Sequence, residues 1–94
     1  MNWILGNDNK MLLKALCDSY APSSDEVRAQ RVIAKHLIDR GLECYGDAIG
    51  NLYASTNSAS DFHLGIIAHS DEIGMQITAI DDNGLLRFRK LGGL

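Results

Sequence analysis

The chain has 94 residues, 46% of them hydrophobic and 22% charged, which is enough for one compact domain and too few for two. Its net charge of −3, with nine lysines and arginines dispersed along the sequence, argues against a nucleic acid or an anionic membrane as partner. The longest apolar run is about five residues, against the roughly 20 that a membrane-spanning helix needs. The opening Met1-Asn2-Trp3-Ile4-Leu5-Gly6 lacks the basic start and long apolar middle of a secretion signal, so a cytoplasmic protein is expected. Cys17 and Cys44 have no Cys-x-x-Cys spacing and no further cysteine beside them, and are expected to be reduced and structural.

Asn7 or Asp8 is placed to cap a first helix running to about Tyr20, with Leu13, Leu16, Cys17 and Tyr20 on one face. Ala21-Pro22-Ser23-Ser24 interrupts it. Ser23 and Glu26 have the spacing of a capping box, which opens a second helix over about 25–40 with Val27, Ile33, Ala34, Leu37 and Ile38 on its apolar face. Gly41 supplies the stop.

Beyond Gly41 the period becomes extended, over 42–45 and 51–55, with Gly46-Asp47 and Gly50 as turn residues between these two short strands. The polar run over 55–61 reads as a surface loop. A third strand is predicted over 62–68, apolar on both faces and hence placed near the middle of a sheet. The last pair, 75–80 and 85–90, is joined through Asp82-Asn83-Gly84, where Asn-Gly is the strongest short hairpin signal. Leu86 and Phe88 share one face of the final strand, and Arg87 and Arg89 the other. The expected fold is therefore α/β, with two amino-terminal helices and a mixed sheet of about five strands.

Chemistry is concentrated in Ala68-His69-Ser70-Asp71-Glu72-Ile73-Gly74, directly after the predicted interior strand. Ligands of such sheets gather at the carboxyl ends of strands. In extended backbone His69 and Asp71 share a face, and a carboxylate beside a ligating imidazole fixes its tautomer and raises its basicity. The competing reading is a structural histidine hydrogen-bonded to its loop. His36 lies mid-helix on the expected solvent side, and His63 precedes the strand that ends at His69, too far along it to share one site. Glu72 is open to two readings, a base or ligand in a cleft or a salt-bridge or loop hydrogen-bond partner. Asp81 and Asp82 read as turn residues. Gly92-Gly93 lacks the lysine and following helix of a phosphate loop.

Taken with Gly50-Asn51-Leu52 upstream, and with Asp82-Asn83-Gly84-Leu85-Leu86-Arg87-Phe88 and Leu91-Gly92-Gly93 downstream, the histidine segment closely resembles the glutamyl or deblocking aminopeptidases. These dinuclear metallopeptidases include the tetrahedral aminopeptidases and the frv-operon protein. Ala21-Pro22-Ser23 matches the family's small-Pro-Ser/Gly turn, and the similarity runs from about Lys10 onward. Ser70 departs from the methionine often found there. The resemblance implies an incomplete part of a zinc-peptidase-like α/β/α sandwich. It also implies that His69 binds one of two divalent ions, zinc or cobalt, that Asp71 is the catalytic aspartate supporting it, and that peptides lose amino-terminal residues to metal-activated water.

Family members are several times longer, and their remaining ligands lie beyond the position matched by Leu94. Residues 1–94 are accordingly expected to be the amino-terminal portion of the catalytic domain, without its later part or the β-rich second domain. Metal binding by this chain alone is expected to be weak or nil, because catalytic zinc takes three protein ligands, and the chain alone is expected to be inactive. A homo-oligomer is expected. The alternatives are a non-enzymatic binding or self-associating module that keeps the scaffold, and the related carboxypeptidase-like metallopeptidases, which Glu72-Ile73-Gly74 disfavours.

Overall fold

Helix α1 (Asn7–Cys17) follows Gly6, which caps it without a side-chain hydrogen bond, so Asn7 and Asp8 lie inside the helix and neither caps it. Asp8 still favours the first turn, where a negative charge meets the positive end of the helix dipole. The helix stops short of Tyr20: the Asp18 N–H donates to Lys14 O at 2.9 Å, and both the N–H and the Oγ of Ser19 turn back to Leu16 O. Its half-buried residues are Leu12 and Leu16, while Leu13 is exposed, so the inward face is rotated from the predicted one. Helix α2 sets that face, since Met11, Leu12, Ala15, Val32 and His36 line a shallow cleft of about 380 Å³ between the two helices. The computed structural model describes residues 6–56 and 59–93; Asn57 and Ser58 of the predicted loop and the residues 1–5 read for a secretion signal lie outside them.

Helix α2 (Val27–Ile38) begins two residues later than predicted and buries Ala29. Ile33, Ala34 and Leu37 are half-buried, as the apolar pattern requires, whereas Val27 and Ile38 are exposed. The capping box does not form. Glu26 instead accepts from the Ser24 N–H at 2.6 Å, and Ser23 turns to a partner far along the chain. At the other end the Gly41 N–H reaches Ile38 O and the Leu42 N–H reaches Leu37 O, a Schellman arrangement made possible by the positive φ of Gly41.

Strands β1 (Glu43–Gly46) and β2 (Leu52–Ser55) form an antiparallel pair beside α2. Tyr45 and Tyr53 are directly opposite and stack at 5.0 Å, the kind of cross-strand aromatic pair that stabilises a ribbon. Cys44 is half-buried with its Sγ against Ala34 O, while Cys17 is exposed; both are free thiols. The connecting turn is organised by Asp47, whose carboxylate accepts from the Ile49 and Asn51 N–H groups, the Asn51 side chain and the Tyr53 hydroxyl. Gln30 of α2 donates to Gly50 O and ties the turn to the helix.

Strands β3 (Gly74–Ile80) and β4 (Leu86–Leu91) form the predicted hairpin, turning at Gly84 with φ of 78°. Arg87 donates to both oxygens of Asp81 across the turn. A register shift between Ile77 and Ala79 leaves Thr78 unpaired in the ladder.

The structure departs from the sequence reading at 62–68, which forms no strand among the described residues, and the four strands make two separate two-stranded sheets. A mixed five-stranded sheet is therefore absent from the described residues. Apolar character marks this segment for burial, but a strand exists only through hydrogen bonds to neighbours, and no described residue offers 62–68 a ladder. Its side chains stand in solvent, with Ile66 at 90% and Ile67 at 96% exposure. The radius of gyration is 17.7 Å, where a compact domain of this length has about 12 Å. No helix among the described residues is long and apolar enough to cross a membrane.

The donors around Asp47, led by the Asn51 N–H, hold its carboxyl below the ordinary value of 3.8. A carboxyl lowered by folding contributes stability that is complete above its unfolded pKa and is lost as pH falls through the folded one. Asp47→Ala is therefore expected to speed amide exchange of Ile49 and Asn51 several-fold at neutral pH. Below about pH 4 the difference between the two proteins is expected to shrink, as read by hydrogen exchange at several pH values.

Candidate functional site

The candidate site rests on one backbone connection. The Glu72 N–H donates to Ala21 O at 2.9 Å, and Pro22 and Glu72 form an isolated parallel bridge. Ala21 and Pro22 are buried, and a Cβ at Gly74 would lie 3.4 Å from the Pro22 ring, so the two segments lie close together. The helix-to-helix turn and the histidine segment, far apart in sequence, are thereby held side by side.

From this bridge the side chains form a chain of contacts. Ser23 Oγ donates to Asp71 Oδ2 across a separation of 48 residues. Asp71 Oδ1 lies 3.0 Å from His69 Nδ1, and the Asp71 carbonyl oxygen is also 3.0 Å from that nitrogen. Both partners of Nδ1 can only accept while the carboxylate is ionised, so Nδ1 carries the proton and donates. The neutral ring is then the Nδ1–H tautomer, with the Nε2 lone pair turned away from Asp71. The His69 side chain is 86% exposed and that of Asp71 34%. The Ser23 hydroxyl, foremost, holds the Asp71 carboxyl below its ordinary value; burial, next in size, opposes it, and His69 adds to the lowering.

His69 and Asp71, predicted as a pair on extended backbone, are brought together, although no strand carries them. His63 and His36 stay apart from them, His36 being engaged with Arg40 through its Nδ1. Glu72 joins the site through its backbone, and no ion pair of its carboxylate occurs among the described residues. Ser23 was missed as a site residue, because its spacing to Glu26 reads as a helix cap. The matching Ala21-Pro22-Ser23 turn was the available signal.

An exposed imidazole with its second nitrogen oriented by a carboxylate fits a divalent metal as a single ligand. The described residues contain no group of three or more His, Cys, Asp or Glu able to hold an ion. One ligand is short of the three that catalytic zinc sites take from protein.

Comparison with known proteins points to one family. The family described as M42 glutamyl aminopeptidase matches residues 50–94, which include the histidine segment and the β3–β4 hairpin. This match and the similarity to proteins named as aminopeptidases support a fragment of an M42 aminopeptidase-family protein. The chain is 32% identical over 85 residues to the Escherichia coli protein named "Putative aminopeptidase FrvX", covering 90% of this chain and 24% of that one. To a "Putative aminopeptidase" of Acetivibrio thermocellus it is 34% identical over 83 residues, 88% of this chain and 25% of the relative. The E. coli protein named "Putative aminopeptidase SgcX" is 36% identical over 83 residues, 86% of this chain and 22% of its own length. The chain thus spans about a quarter of the length of these curated relatives. No solved structure gives a significant match.

The bridge makes a direct prediction for amide exchange. The Glu72 amide is expected to exchange roughly two- to tenfold more slowly than those of Gly65 to Ala68, after correction for intrinsic rates, as one net hydrogen bond implies. Equal rates measured by hydrogen exchange with NMR detection would show that the turn and the histidine segment are not joined.

Proposed function

We propose that residues 1–94 form the amino-terminal portion of the catalytic domain of a metal-dependent aminopeptidase, a part of its α/β/α sandwich that does not hydrolyse peptides alone. The observation that carries this reading is the orientation of His69 by Asp71, which presents Nε2 as a ligand atom. His69 would hold one divalent ion, zinc or cobalt, of a two-metal centre, and Asp71 would act as the catalytic aspartate that supports it. Such ions, when bound, polarise a carbonyl and lower the pKa of water. The chain's own residues fix the imidazole, keep its Nδ1 proton on the carboxylate side, and leave Nε2 accessible. The substrates in this reading are peptides with free amino-terminal residues, and the enzyme acts in the cytoplasm, in keeping with its two free thiols.

The test is an assay of amino-terminal residue release from short peptides, with added zinc or cobalt. No turnover is expected from the 94-residue chain, and turnover abolished by His69→Ala would overturn its inactivity. In a longer protein carrying the remaining ligands, His69→Ala is expected to remove activity.

Self-association belongs to the same proposal. Leu64, Ile66 and Ile67 are exposed on a segment whose backbone has no ladder, and β3 and β4 expose Ile77 and Phe88. Unpaired strands and apolar patches of this kind favour pairing with another chain. Light scattering is expected to show a concentration-dependent rise in mass above the 10.3 kDa monomer. A strict monomer at high concentration would contradict it.

A further inference from the structure

We propose that Ser23 is a positioning residue for the histidine site: its hydroxyl locks the Asp71 carboxylate and, through it, selects the tautomer of His69. The inference rests on the reading of His69 and Asp71 given above, but on a different observation. Each oxygen of the carboxylate has its own donor, His69 Nδ1 on Oδ1 and Ser23 Oγ on Oδ2. A carboxylate with only the histidine on it can turn about its terminal torsion, which is a broad and soft one. With a donor on each oxygen the plane is set, and Oδ1 is held facing Nδ1 beside the Asp71 carbonyl oxygen, which accepts from the same nitrogen.

Ser23 is suited to this because its own backbone is set first. Ala21 and Pro22 are buried, and the Glu72 N–H to Ala21 O bond joins this turn to the residue following Asp71. The hydroxyl therefore reaches Asp71 from a preformed turn. The adjacent Ser24 has a φ of 79°, unusual for a residue with a side chain, and its N–H is held by Glu26 at 2.6 Å. This kink keeps Ser23 out of the helix cap that its spacing suggests and leaves its hydroxyl for the carboxylate. A short side chain ending in a hydroxyl meets the requirement; alanine at the same place supplies no donor.

The consequence is chemical. The free histidine side chain in water favours the tautomer protonated at Nε2, which would block that nitrogen as a ligand. A carboxylate fixed against Nδ1 reverses the preference, and Ser23 fixes the carboxylate.

The experiment measures the ring nitrogen-15 shifts of His69 in the 94-residue chain without added metal, at about pH 8, above the ordinary histidine range. The unaltered chain is expected to show a protonated Nδ1 and an unprotonated Nε2. In Ser23→Ala the two signals are expected to converge towards a tautomer mixture, and in Ser23→Thr, which keeps the hydroxyl, to return to the original pattern. An unchanged tautomer in Ser23→Ala would overturn the proposal. Loss of Glu72 amide protection in Ser23→Ala, with no recovery of the tautomer in Ser23→Thr, would also overturn it, because Ser23 would then support the backbone alone. No peptide hydrolysis is involved, so failure of the aminopeptidase reading is distinguishable: the tautomer shift would persist in a protein whose longer form releases no amino acids.

Discussion

One amide-to-carbonyl bond, from Glu72 to Ala21, is the constraint on which the site depends. The chain packs in two parts: α1 and α2 with the β1–β2 ribbon on one side, and the β3–β4 hairpin on the other. Between them the apolar segment over 62–68 has no ladder among the described residues. The Ala21–Glu72 bond and the Pro22 bridge bring the turn before α2 against the start of the hairpin, and only there can a serine on one part meet an aspartate on the other. A single neutral hydrogen bond contributes about 1 kcal/mol net. The burial of Ala21 and Pro22 beside it is what makes that modest sum local and directional.

Elsewhere the structure is held by short-range chemistry. Asp47 gathers four donors within six residues, Gly41 closes α2 with two backbone bonds, and Arg87 spans the β3–β4 turn to Asp81. Such contacts form within one element and do not need a core. A core is nearly missing, since Ala21, Pro22 and Ala29 are the buried residues among those described. Large apolar side chains lie instead on open faces, where roughly 25 cal/mol per Å² of burial remains unrealised.

Several patterns whose cause is local were read correctly. The Asn83-Gly84 hairpin, the stop at Gly41 and the two short strands after it depend on residues a few positions apart. The His69–Asp71 pairing belongs to the same class, because two residues separated by one in extended backbone share a face whether or not a sheet surrounds them. Two readings failed for one reason. Ser23 matched a capping box by spacing, yet its hydroxyl was taken by Asp71, a partner 48 residues away that no local window contains. The segment over 62–68 has the composition of an interior strand, but the ladder it would need is not supplied by the described residues.

The sequence alone therefore determined the order of helices and hairpins, the family resemblance through its Gly-Asn-Leu and His-x-Asp-Glu-x-Gly segments, and the pairing of His69 with Asp71. The elements and the pairing rest on periodicity, turn chemistry and spacing, which are properties of neighbours along the chain, and the resemblance rests on the motifs as they stand in the sequence. Tertiary structure decided which face of α1 is inward and that Ser23 serves Asp71 instead of a helix end. Each of these depends on a contact between segments distant in sequence, and such contacts are fixed by where the backbone goes, not by what stands next to a residue in the chain.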